Sequence, residues 1–262
     1  MSRTAIIAGT GTLPSCVAAA LDDPFIAALD GFMPEGLAVH LTFRLERLAL
    51  AMREIAAQGV DRVIFAGAVR RPALDPSLFD PETARMVPQI IAAMQGGDDG
   101  LLRAVIGVFE EAGFIVAGVE DVAPHLVPTS GVLTGSLGYA EQRDAARAAD
   151  IVRALGTVDV GQGAVVADGL CLALEALPGT DAMLEWVAAT RQGTGGVFLK
   201  APKPGQDRRI DLPTLGVATV RRAALAGLSC IAWEAGGVVL LDRDTVVAEA
   251  AAAGITLWAR AG

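Results

Sequence analysis

Residues 201–213 read APKPGQDRRIDLP and follow Lys200, so one short run carries the carboxylates Asp207 and Asp211 beside Lys200, Lys203, Arg208 and Arg209. Carboxylates hold a hard cation or orient a water, while basic side chains neutralise phosphate oxygens; together they suit chemistry on a metal-bound diphosphate. The three prolines and five charges of the run mark it as a loop whose charges need a purpose, the alternative being a merely solvated connection. A second carboxylate pair, Glu175 and Asp181, flanks Pro178-Gly179-Thr180 just after an apolar run, although Asp181 serves equally in the first turn of a helix. A third, Asp98-Asp99, sits between glycines, where helix N-capping is the ordinary use.

Three further features bear on ligands. The turn Gly9-x-Gly11 follows an apolar strand, but Pro14 stands where a dinucleotide fingerprint needs its third glycine, and no acidic residue closes an obvious second strand about twenty residues on. Its backbone N–H groups can cradle a phosphate, or the turn can be a tight one with no ligand. Arg70-Arg71 falls at the carboxyl end of a parallel strand, where open α/β sheets bind ligands, or else belongs to a plain loop before Pro72. His40 and His125 are the only histidines, which rules out a three-histidine zinc site and points to magnesium if a metal is used; each histidine reads as a surface or capping residue. Cys16, Cys171 and Cys230 form no CxxC, as in a reducing compartment, and Cys171 and Cys230 read as buried core thiols.

Elements that must position these groups follow from periodicity. The first half reads as strand Thr4–Ala8, a glycine turn, a helix, a loop through Met33, an amphipathic helix Leu41–Gln58 closed by Gly59, strand Arg62–Ala66, a short helix near Thr83–Met94, helix Leu101–Ala112 and strand Phe114–Val119. That alternation implies a parallel sheet with right-handed crossovers, a Rossmann-like domain over 1–131. Residues 127–135, VPTSGVLTG, have the composition of a connection. A second α/β domain over 137–262 then holds a polar helix Ala140–Leu155, strands Gly163–Ala167 and Leu170–Ala176, helix Thr180–Arg191, strand Val197–Lys200, helix Thr214–Ala226, strands Ser229–Trp233 and Val238–Asp242, helix Thr245–Ala253 and strand Ile255–Ala259.

Bulk properties exclude whole classes. At ~150 residues per domain, 262 residues make one large domain or two modest ones, and 53% hydrophobic content is ample for a core. A net charge of −9 and 5% aromatics argue against nucleic acid, whose binding needs gathered cations and stacking platforms. Thr4–Leu21 is uncharged but is broken by GTGTLPS at 9–15, so it reads neither as a signal peptide nor as a membrane span. Met86, Val87, Ile90, Ile91 and Met94 recur at helical spacing and offer either an apolar trough or, more simply, a core face.

Five short motifs occur in order, IIAGTGTLP (6–14), GAVRRP (67–72), GGDDGLL (96–102), EALPGTDAML (175–184) and LKAPKPGQDRRIDLPTLG (199–216), and AGLSCIAWEAG (226–236) follows. The set covers nearly the whole chain and resembles the UDP-2,3-diacylglucosamine pyrophosphatase family of the LpxI type. The resemblance implies a magnesium-dependent hydrolase of lipid A biosynthesis that cleaves UDP-2,3-diacylglucosamine to UMP and 2,3-diacylglucosamine 1-phosphate (lipid X). It implies a cytoplasmic two-domain homodimer that meets its lipid-nucleotide substrate in transient contact with the inner membrane surface. The family's functional aspartate carries over to Asp211 or Asp207, and both are read as positioning magnesium or the attacking water, with Glu175 and Asp181 as second-choice metal ligands suggested by a strand end and a helix start. Lys200, Lys203, Arg209, Gln206, Thr180, Gly9, Gly11, Arg70 and Arg71 are then the substrate-binding candidates. The chain departs from the family's wording at Asp168, where a glutamine is expected, which puts a role for that strand end in doubt. A nucleotide-sugar transferase or a non-catalytic nucleotide-binding module are the rival readings.

Overall fold

Parallel strands covered on both faces need unbroken apolar runs, and β1 (Arg3–Ala8), RTAIIA, is such a run. Around it the computed structural model describes residues 3–69, 74–94 and 98–261, with the side chains of 89–94 and 98–99 outside the description. The chain forms two compact units, Met1–Pro124 with Asp207–Asp211, and His125–Gln206 with Leu212–Gly262.

The first unit places β1, α1 (Leu13–Ala18), β2 (Phe25–Leu29), β3 (Leu41–Phe43), α2 (Leu48–Ala57), β4 (Val60–Ala66), α3 (Pro81–Met94), α4 (Asp98–Glu111), β5 (Ile115–Ala117) and α5 (Val119–Val122) in chain order. Its five-stranded sheet has the order β3-β2-β1-β4-β5 and is parallel throughout, the α/β arrangement expected. Two expectations fail here. Phe25–Leu29, passed over as loop, is the fully buried strand β2; its residues are apolar without alternation, and flanking Asp-Pro and Asp-Gly pairs disguised them as a connection. Asp30 therefore does close a second strand, and it pairs with Arg44 at 3.4 Å. Leu41–Phe43 is strand β3 and not the start of the long helix, because its backbone pairs with β2. His40 reinforces that join: its Nδ1 accepts the Ile26 N–H at 2.9 Å and its ring stacks on Phe25.

Loops after β1 and β4 are laced together. Gly9 N–H donates to Ala66 O, and Thr10 and Ala68 exchange backbone hydrogen bonds. A Cβ on Gly9 would lie 2.6 Å from Ala68 O, so glycine is required there by backbone approach alone. The core of this unit gathers Phe25, Met52, Ile55, Val63, Phe109 and Val116. Met86 packs against that core and Val87 is half-buried, the use of the stripe as a core face; Ile90, Ile91 and Met94 have side chains outside the description.

The second unit contains β6 (Gly131–Thr134), α6 (Tyr139–Gly156), β7 (Gly163–Ala167), β8 (Leu170–Leu174), α7 (Gly179–Thr190), β9 (Val197–Lys200), β10 (Thr214–Leu215), α8 (Val217–Leu225), β11 (Cys230–Glu234), β12 (Val239–Leu240), α9 (Arg243–Ala252) and β13 (Thr256–Arg260). Its six-stranded sheet runs β6-β13-β11-β9-β7-β8, with β9, β11 and β13 parallel and β6, β7 and β8 antiparallel to their neighbours. One face packs on α6 through Ala145, Ala148 and Val152. The other packs through Phe198, Ile231 and Trp233 on Leu184, Val187, Val220 and Val246.

Three local expectations are corrected in this unit. Residues 131–134, read as part of a connection, pair with β13 as an edge strand. Thr214 and Leu215 form the short strand β10, parallel to β12, so the helix begins only at Val217. Cys171 is exposed rather than buried, because β8 is the outer strand of the sheet, whereas burial pushes the Cys230 thiol up to about 12. The unusual Asp168 has a turn role: Asp168 and Gly169 both have positive φ, 52° and 78°, in the β7–β8 hairpin, and the buried Asp144 carboxylate accepts both of their N–H groups at 2.9 Å.

Glu46 shows how the first unit holds its loops. Buried after β3, its carboxylate accepts from Arg44 and from the Asp75 N–H at 2.9 Å, and these bonds hold it at about 2. A folded-state value below the ordinary 4.5 contributes stability that is complete above about pH 4.5 and is lost as pH falls toward 2. Thermal midpoints of wild type and Glu46→Gln should therefore differ most near neutral pH and converge as the pH is taken down through this window.

Candidate active site

The loop of interest begins at the carboxyl end of β9, where Lys200 is buried in the sheet. An ammonium there must be paired, and its Nζ donates to Glu175 Oε1 at 3.2 Å, to Oε2 at 3.1 Å, and to Thr180 Oγ1. The side chains of Lys200 and Glu175 are only 8% and 12% exposed, so this is a desolvated ion pair and not a surface contact. Room for it comes from glycine. Gly163 stands opposite Lys200 in the β7–β9 ladder, and a Cβ on it would lie 2.6 Å from Glu175 Oε2. Gly161 has φ +58° and would set a Cβ 1.9 Å from the Glu175 carbonyl oxygen. On the other side Trp233 is the register partner of Lys200, and its buried Nε1 has no hydrogen-bond partner.

From Lys200 the chain is led outward by fixed contacts. Ala201 N–H donates to Gln162 O, Lys203 Nζ pairs with Asp159, and the buried Gln206 accepts the Lys203 N–H at 2.8 Å. Gln206 thus sets the loop's backbone, while Lys203 is tied to a carboxylate at the turn after α6.

Asp207–Asp211 then pack within the first unit. Arg209 faces Asp207 as a fork: Nε lies 3.0 Å from Oδ1, Nη2 lies 2.7 Å from Oδ2, and the Arg209 N–H also donates to Oδ1 at 3.0 Å. The remaining arm of Arg209, Nη1, donates to Glu110 Oε1 on α4 at 2.7 Å. The guanidinium beside Asp207 holds its carboxyl below the ordinary range and raises the arginine's own value. Ile210 packs against the first unit's core.

The other candidates are placed as follows. Thr180 joins the Lys200 cluster, whereas Asp181 lies in the first turn of α7 and pairs with Arg222 at 3.3 Å. Gly11 takes φ +91° in the turn before α1, and its carbonyl accepts the Glu35 N–H. Arg70 and Arg71 lie outside the described residues. Among the described residues no three His, Cys, Asp or Glu side chains gather into a group that could hold a metal ion. Carboxylates at Asp207 and Asp211, completed by phosphate oxygens and water, still match the hard oxygen donors magnesium takes when it arrives with a diphosphate.

Residues 3–126 match the model of the LpxI N-terminal domain, and residues 129–258 match that of the LpxI C-terminal domain. The chain belongs to the LpxI family. One relative, the UDP-2,3-diacylglucosamine pyrophosphatase LpxI of Caulobacter vibrioides, is 43% identical over 207 residues, covering 76% of this chain and 74% of the relative. Within the LpxI match, Glu175, Lys200, Asp207 and Asp211 fall in the C-terminal segment, while Gly9, Gly11 and Glu110 fall in the N-terminal one. Sequence reasoning took Lys200 and Arg209 as free cations and missed their partners; the signal for Glu175 was the GQG at 161–163, whose glycines make room for it. Nothing local in the sequence links Glu110 to Arg209.

Breaking the Lys200–Glu175 pair from one side leaves a buried charge alone, at a cost of about 3–5 kcal/mol. Lys200→Met and Glu175→Met should each lower the denaturant midpoint accordingly, while the double variant should recover most of the loss. Equal losses in singles and double would show that packing, not charge pairing, sets the effect.

Proposed function

We propose that the protein hydrolyses the pyrophosphate of UDP-2,3-diacylglucosamine, releasing UMP and 2,3-diacylglucosamine 1-phosphate as a step of lipid A biosynthesis. The observation that carries this reading is the 43% identity to the LpxI of Caulobacter vibrioides across three quarters of the chain, the carboxylate-and-cation loop included in the family match.

In this reaction a water oxygen bonds to one phosphorus, the bridging P–O bond breaks, and the bridging oxygen leaves on the other phosphate while the water gives up a proton. The barrier comes from bringing an anionic oxygen toward anionic phosphates, so the protein's task is to place charge and orient water. Asp211 and Asp207 are the residues we assign to hold magnesium and align the water, while Glu175 and Asp181, the second-choice ligands, are taken up by Lys200 and Arg222. Magnesium, when bound, neutralises diphosphate oxygens. Lys203, held by Asp159, and Arg209, held by Asp207 and Glu110, bring positive charge to the same loop, and Lys200, neutralised by Glu175, shapes the loop's origin. Arg209 restrains Asp207 through its fork, and Asp211 is the first target for mutation.

We further infer a homodimer acting at the cytoplasmic face of the inner membrane in transient contact. Among the described residues no helix is long and apolar enough to cross a membrane, and a net charge of −9 disfavours stable docking on anionic lipid.

Purified protein with synthetic substrate should release UMP and the sugar 1-phosphate in equal amounts with magnesium and none with a chelator. Asp211→Ala should lose at least about 100-fold in turnover while still binding substrate. UMP that appears only with an added acceptor would mark a transferase, and binding without any UMP a nucleotide-binding module.

A further inference from the structure

Among the contacts that seat Asp207–Asp211 within the first unit, one does more than attach the loop. Ile210, half-buried, packs against the apolar core, and the backbone at Arg209 passes so close to Gly118 that a Cβ there would lie 3.3 Å from the Arg209 Cα. These two contacts hold the loop against the N-cap of α5 but do not orient any charged group. Glu110 does. It takes Nη1 of Arg209 at 2.7 Å, while Nε and Nη2 of the same guanidinium are spent on Asp207 at 3.0 and 2.7 Å. A guanidinium is planar and rigid, so fixing one arm on α4 fixes the plane of the other two, and with it the plane of the Asp207 carboxylate.

We infer that Glu110 is a positioning residue for the reaction: through Arg209 it sets the orientation of the Asp207 carboxylate. The inference rests on the hydrolase reading above and adds to it a residue on α4, 99 positions away from the loop it serves. Stability is a poor explanation for the contact. Glu110 and Arg209 are 47% and 39% exposed, and ion pairs at that exposure add little to folding. What such a pair does supply is direction.

In the full-length protein, Glu110→Ala should lower kcat about 10- to 100-fold with KM changed less than about threefold, because an interaction that orients a reacting group is lost while substrate contacts remain. Glu110→Asp should regain part of that loss. Glu111→Ala, the exposed neighbour on α4, should leave kcat unchanged. In an Arg209→Met background, Glu110→Ala should add no further loss, since the path from Glu110 to Asp207 is already cut. Wild-type kcat in Glu110→Ala, or a full second loss on top of Arg209→Met, overturns the inference. Hydrogen exchange of the 206–211 segment gives an independent reading: Glu110→Ala should raise it about tenfold, and unchanged exchange also counts against the role. Should the unmodified protein release no UMP, the hydrolase reading fails by itself, and the exchange result alone decides whether Glu110 holds the loop.

Discussion

A lysine ammonium cannot stay buried at the end of a strand without a counter-charge, and the pairing of Lys200 with Glu175 and Thr180 meets that demand. Much of the second unit's local design follows from this one constraint. Two glycines, Gly161 and Gly163, give up side chains to admit the glutamate, and Thr180 ties the start of α7 to the end of β9. The loop bearing Asp207 and Asp211 therefore leaves the sheet from a fixed point. Without the pair the loop's origin would be a strand end with a charged side chain seeking water.

Charge is then handled by short-range pairing along the loop. Lys203 meets Asp159, and Arg209 meets Asp207 and Glu110. Such pairing lets cations sit in a chain of net charge −9 at fixed positions, each held by an acidic neighbour. Asp207 has both oxygens engaged by Arg209.

The fold itself uses economical joins. Glycine at position 9 lets the loops after β1 and β4 touch backbone to backbone, and His40 stands in as a hydrogen-bond acceptor for β2. The short Asp168-Gly169 hairpin is held by Asp144, a carboxylate used wholly for structure. These joins absorb residues whose types, seen one at a time, look equally fit for chemistry.

Parallel α/β architecture and the identity of the charged loop were readable from residue order, because apolar runs, glycine turns and a cluster of Asp, Lys and Arg are local properties. Phe25–Leu29, Leu41–Phe43 and Gly131–Thr134 were not readable as strands, since a strand exists only when a neighbour supplies its hydrogen bonds, and those neighbours lie up to a whole unit away in sequence. The same reason separates the two kinds of knowledge about the site. Composition and spacing named Lys200, Asp207, Arg209 and Asp211 as candidates; only folding decided that Lys200 is bound to Glu175 and Arg209 to Glu110, because an ion pair between distant residues depends on where the chain has been brought and not on what it contains.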